Sequence, residues 1–213
     1  MRIVLLGGGG HASDVLGAIE ALQAFSPMQP GVAYTVVGIL ADADIDMRRF
    51  AARGVTQIGS IDDMGRIDAS HYVACVGYPK SRRSVVERAA QSGLQALTLV
   101  HPRAWVHPGV PIGPGSVVLA GSCISPGSEV GAHVYLGQGS IIGHDCVVGD
   151  YVSVMPGATV SGDTEIGPGA LVGANATILE KRSVGPWARV GAGAVVTKDI
   201  PGDAVAVGIP ARF

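Results

Sequence analysis

The sequence predicts two unlike parts: a small parallel α/β domain, then an all-β solenoid of short parallel strands. Three observations carry this reading. Glycine supplies 32 of 213 residues, about twice the usual ~7%. Residues 1 to 105 hold 12 glycines and 19 charged side chains, whereas residues 106 to 213 hold 20 glycines and 13 charged side chains. From Val106 to Val196 every sixth residue is a branched aliphatic, sixteen in succession without a slip in phase.

The N-terminal elements follow in order. Ile3–Leu6 is a short apolar run that reads as a buried strand, and it ends in four consecutive glycines. A helical pattern runs from Ala12 to Phe25. Thr35–Leu40 reads as a β-branched second strand, Tyr72–Val76 as a third, Ser81–Ser92 as a second helix, and Leu97–Val100 as a last strand. Strands alternating with helices indicate a parallel sheet.

The six-residue period cannot be helical, because every sixth helical residue would fall on a different face. It suits a coil whose turns each stack an aliphatic on the one below, giving a continuous inner column. Four places after the aliphatic the residue is usually small, as at Ser116, Ser122, Ser128, Ser140, Cys146 and Ala158. Glycine often follows the aliphatic directly, as at Gly113, Gly131, Gly137, Gly143 and Gly149. These glycines are expected to supply corner conformations that a Cβ would obstruct. Three hexads per turn give about five turns. The domain boundaries expected are 1–100, 101–197 and a C-terminal tail, 198–213.

Composition excludes several function classes. With 47% hydrophobic and only 15% charged residues, the chain is not a disordered segment. Net charge of −2 with no dense basic block argues against nucleic acid as a partner. No apolar run approaches the ~18 residues of a membrane span, and the first strand breaks into glycine too early for a signal peptide. Three cysteines without a Cys-x-x-Cys pair fit a reducing cytoplasm better than a disulfide framework.

Four segments carry candidate chemistry. Gly7-Gly8-Gly9-Gly10-His11-Ala12 lies between a strand and a helix, where backbone N–H groups and the helix N-terminus favour an anion. It partly fits the dinucleotide fingerprint of Rossmann-like domains. The acidic residue expected some twenty positions on is missing, however, and Asp42 and Asp44 are the nearest at a strand end. A nucleotide-sugar pyrophosphate fits this short domain better than NAD. Gly77 closes the third strand, at the mouth where ligands of open α/β sheets collect; Arg82 reads equally as a phosphate partner or a solvated helix face. His144 takes the third place of its hexad, a corner pointing outward, and an imidazole there suits a general base with Asp145 beside it to orient the ring. Cys146 is a fifth-place residue, so its thiol should face the core rather than serve as a nucleophile. His133, His101 and His107 lack the spacing of a metal site, and none is expected.

The glycine run at 7–12, the segment Gly143-His144-Asp145-Cys146-Val147-Val148-Gly149-Asp150 and the tail Val207-Gly208-Ile209-Pro210-Ala211-Arg212 resemble the hexapeptide sugar acyltransferases of bacterial surface glycan synthesis. That group includes the UDP-4-amino-sugar N-acetyltransferases, GDP-perosamine N-acetyltransferases and sialic acid O-acetyltransferases. The resemblance covers nearly the whole chain in order. It implies a left-handed, three-sided β-helix, association as a homotrimer, and acetyl-CoA as co-substrate. It also implies phosphate contacts at Gly9, Gly10 and His11, base recognition near Asp42 and a backbone contact at Gly77. His144 becomes the base, Asp145 its support, and Ser153, Gly162, Ala174 and Ala192 neighbours of the cofactor. The activity expected is acetyl transfer to the amino group of a nucleotide-linked sugar. The alternatives are sugar O-acetylation, a metalloenzyme of the γ-carbonic anhydrase type, and a non-catalytic nucleotide-sugar-binding protein. The chain departs from relatives at Tyr78, where Asn or Asp usually follows the glycine, at Gly137 (commonly Asn), at Gly143 (commonly acidic) and at Ser153 (a second histidine in some).

Overall fold

In the computed structural model, residues 1–25 and 33–213 are described. They form two compact units, Met1–Pro102 and Arg103–Phe213. The first is a parallel sheet of five strands in the order β3-β2-β1-β4-β5. These are β1 (Arg2–Leu6), β2 (Thr35–Leu40), β3 (Gln57–Gly59), β4 (His71–Ala74) and β5 (Gln95–Ala96). β1 is central, and Ile3, Val4, Leu5 and Leu6 are fully buried, as a strand covered on both faces requires. Two helices, α1 (Gly10–Phe25) and α2 (Pro79–Ala89), connect strands. α1 buries Ala12, Val15, Leu16, Ala18 and Ile19, and α2 opens with proline in its first turn, where a missing N–H costs nothing.

Two sequence expectations shift here. The strand Gln57–Gly59 is new, and a last strand expected at 97–100 appears as Gln95–Ala96 and Leu99–Val100. Two- and three-residue strands flanked by turns leave too little alternation to be read from sequence.

The second unit is the left-handed parallel β-helix. Each strand has two residues, and equivalent strands lie eighteen residues apart: Glu129 pairs with Val147, and Val147 with Glu165. The same offset joins Tyr135, Ser153 and Leu171 on a second face, and Cys123, Ile141 and Thr159 on the third. The second residue of each strand points inward. Ile124, Leu136, Ile142, Val154, Val160 and Val172 are completely buried, which is the predicted column. At the far end Val205–Ala206 pairs with Arg189–Val190, so the terminal segment continues the stack.

Glycine's part at the corners differs from the expectation. The left-handed backbone position lies three places after the aliphatic, held by Gly127 (φ 74°) and Gly139 (φ 66°), and elsewhere by Asp145 and Asp163. The glycines directly after the aliphatic serve the close approach of coils instead: a Cβ on Gly173 would sit 2.5 Å from Ala192 N.

Candidate active site

The corner between Ile142 and Val147 carries His144 and Asp145. Its backbone is fixed from both neighbouring coils: Asp145 N donates to Pro126 O (3.1 Å) above, and Asp163 N donates to His144 O (2.9 Å) below. Buried Ser128 braces the same corner, its hydroxyl donating to Gly143 O (2.6 Å) and accepting from Cys146 N (3.1 Å). Asp145 stands in the left-handed conformation at φ 56°, which turns its carboxylate back toward the preceding residue.

His144 Nδ1 lies 2.8 Å from Asp145 Oδ2, and both side chains are about 60% exposed (61% and 60%). With Nδ1–H donating to the carboxylate, the lone pair resides on Nε2. The ring lies over Gly162, one coil on, where a Cβ would collide with Nε2. Gly162 therefore makes room for the imidazole. Asp163 completes the group, with a ring nitrogen of His144 and one carboxylate oxygen from each aspartate all within 4.8 Å of one another. Sequence reasoning missed Asp163. Its signal was the eighteen-residue coil itself, which places 163 directly after 145.

Cys146 is fully buried and its thiol donates to Ser161 O (3.1 Å). Burial raises its pKa, so the thiol stays protonated. The remaining cofactor candidates separate. Gly162 shares the His144 corner. Ala174 and Ala192 lie eighteen residues apart at the corner that precedes the face of Thr177 and Val195, joined by Gly193 N donating to Ala174 O (2.8 Å). Ser153, expected near the cofactor, lies on a different face from Ile141 and is fully buried, so its own side chain offers no surface to a ligand.

In the α/β unit, β1 ends at Leu6 and the chain turns at Gly7 (φ 99°). Gly9 and Gly10 are exposed at the start of α1, and a Cβ on Gly9 would meet nothing within 4 Å. Open space above Gly9 and a helix N-terminus without an acidic first turn are features that suit an anion. His11 packs against Gly77, where a Cβ would collide with the imidazole. Desolvation by burial lowers the His11 pKa, with Asp14 opposing and Arg82 reinforcing the shift. Arg82 is buried and donates to Val76 O (2.9 Å) and Gly77 O (3.2 Å), a brace for that loop rather than a solvated face. Asp42 is held by Arg88, with contacts of 2.5 and 3.0 Å, and accepts from Ile61 N (3.1 Å). The Arg88 guanidinium keeps the Asp42 carboxyl below its ordinary range and also binds Asp62 (2.6 Å). Neither Arg88 nor Asp62 stood out in the sequence.

Comparison with known proteins accords with this geometry. The family model of bacterial transferase hexapeptide repeats matches residues 127–162 and 163–198. The acetyltransferase domain of PglB from Neisseria gonorrhoeae, in complex with acetyl coenzyme A, is 30% identical over 99% of this chain and 98% of that one, with a TM-score of 0.85. A histidine-to-asparagine mutant of perosamine N-acetyltransferase from Caulobacter crescentus, in complex with CoA and GDP-perosamine, is 27% identical over 100% and 96% (TM-score 0.87). WeeI from Acinetobacter baumannii is 25% identical over 100% and 99% (TM-score 0.83). Comparison with curated proteins gives no match. A repeat model across the coils, together with whole-chain likeness to sugar N-acetyltransferases, settles the kinship: this chain belongs to the hexapeptide-repeat sugar acyltransferases.

Proposed function

We propose that the protein transfers an acetyl group from acetyl-CoA to the amino group of a nucleotide-linked sugar, with His144 as general base. The observation that carries this is the His144–Asp145 pair at 2.8 Å on an exposed corner of the β-helix. A proton acceptor held in one tautomer is what attack by a neutral amine on a thioester needs. In the reaction the amine nitrogen forms a C–N bond to the acetyl carbonyl. His144 Nε2 takes the proton that nitrogen loses. As the C–S bond breaks, the same proton passes to the departing CoA thiolate. Asp145 stays ionised, orients the ring and offsets the imidazolium charge. The acyl carbon is already activated, so positioning supplies much of the rate.

The α/β unit is assigned the nucleotide diphosphate, at Gly9, Gly10 and His11 with Gly77 beneath the imidazole. Asp42 enters base recognition together with its partner Arg88. Gly162, Ala174 and Ala192 are assigned to the pantetheine arm, contacting it mainly through backbone. Trp105 (54% exposed), Ile141 and Val147 leave apolar surface on the prism, and threefold association would cover such surface. A relative supports this reading: the mutant perosamine N-acetyltransferase from Caulobacter crescentus was captured with CoA and GDP-perosamine.

A thermal-shift screen with UDP-, GDP-, dTDP- and CMP-sugars, with and without acetyl-CoA, tests the assignment. One nucleotide class should raise the midpoint, and acetyl-CoA should raise it further. No shift with any nucleotide sugar would sink the role of the α/β unit.

A further inference from the structure

Asp163 lies beside the proposed base but takes no part in the proton transfer assigned to His144 and Asp145. It occupies the left-handed corner position (φ 54°) one coil on from Asp145. Its carboxylate shares a 4.8 Å cluster with His144 and Asp145. Asp145 is committed to His144 Nδ1. Among the described residues Asp163 is in no salt bridge within 4.0 Å; Lys181, the next residue down this ridge, makes none either. The reactive Nε2 projects over Gly162, the residue directly before Asp163. An exposed carboxylate with no cation of its own thus sits at the edge of the space that the attacking group must enter.

The incoming group supplies the missing cation. A sugar amine, flanked by oxygen-bearing carbons like an α-amino group, titrates near ~8 and is mostly ammonium at neutral pH. A sugar hydroxyl carries no charge. We propose that Asp163 receives the acceptor's ammonium group beside His144 and so selects amino sugars over their hydroxyl counterparts. This rests on the acetyltransferase reading and extends it to acceptor specificity. The bound ammonium releases one proton to solvent. The neutral amine then forms the C–N bond, and its second proton leaves through His144 to the thiolate as the C–S bond breaks. Acceptor ammonium plus acetyl-CoA thus yields amide, CoA thiol and one proton.

The test compares wild type with Asp163→Asn at pH 7, using the nucleotide amino sugar that the wild type acetylates. The matching nucleotide sugar with hydroxyl in place of the amine serves as competitive inhibitor. Asparagine is isosteric and tolerates the left-handed conformation, so the variant should fold, which an unchanged melting midpoint verifies. KM for the amine should rise about fivefold, the upper scale of one exposed charge pair. kcat, the KM for acetyl-CoA and the inhibition constant of the hydroxyl analogue should stay within about twofold. An unchanged amine KM, or an equal loss for amine and hydroxyl analogue, overturns the role of Asp163 while leaving the acetyltransferase reading intact. Wild-type protein that acetylates no nucleotide amino sugar overturns both.

Discussion

Cys146 and His144 lie two positions apart, and only backbone direction separates a nucleophile pair from a base with an inert neighbour. The corner turns the imidazole out to solvent, while the thiol is buried and donates to Ser161 O. Hexad position alone made that distinction readable in the sequence. Asp163 follows from a second step, three hexads on from Asp145, which single-hexad position does not display. Nor could it show that Arg88 occupies Asp42, since the two are 46 residues apart. The departures at Gly137 and Gly143 have a local cause in this chain: a Cβ at either would come within 2.7 Å of the next coil's backbone, at Pro156 N or Gly162 N. His11 gives a residue-scale prediction. Its folded pKa is depressed below 6.5 by burial. Below 6.5 the unfolded chain therefore binds more protons than the folded one, and stability declines as pH falls through that value. Melting curves at pH 7.5 and 5.5 should show a larger loss for wild type than for His11→Gln.

Corners are the elements on which the β-helix depends, and their polar bracing follows a repeat. Ser116, Ser122 and Ser128 each donate to the carbonyl fifteen residues on, at 2.8, 2.9 and 2.6 Å. Ser116 and Ser128 also accept from the amide eighteen residues on. The small fifth-place residues thus do more than fill space, which the sequence pattern of "small" did not distinguish. Ser128→Ala removes the partner of the buried Cys146 N–H beside His144. An orphaned buried donor of this kind costs about 1–3 kcal/mol. Chemical denaturation should show that loss, and a variant as stable as wild type would contradict the bracing role. The α/β elements were legible for the opposite reason. β1, α1 and β2 are long enough to display their periodicity, whereas β3 and β5 have three and two residues and show none.

At the scale of the molecule, the two uses of glycine seen in the sequence correspond to the two compact units. One clears Gly9 and Gly10 at a helix N-terminus, and the other lets successive coils approach. The unbroken aliphatic period is enough to set the register of the β-helix, because one residue of slip would turn the inner column outward. Threefold association is an expectation that rests on the family resemblance and on apolar surface such as Trp105, Ile141 and Val147. Light scattering should give the mass of three chains, and a monomer at micromolar concentration would remove the basis for a threefold assembly. No helix among the described residues is long and apolar enough to cross a membrane.

Acetyl transfer driven by His144 is the claim on which the rest depends. The direct measurement is CoA release from acetyl-CoA with a nucleotide amino sugar, for wild type and for folded His144→Ala. General-base catalysis contributes typically 10²–10⁴-fold, so the variant should lose at least about a hundredfold in kcat while still binding both substrates. Near-normal turnover by the folded variant would contradict the assignment of the base.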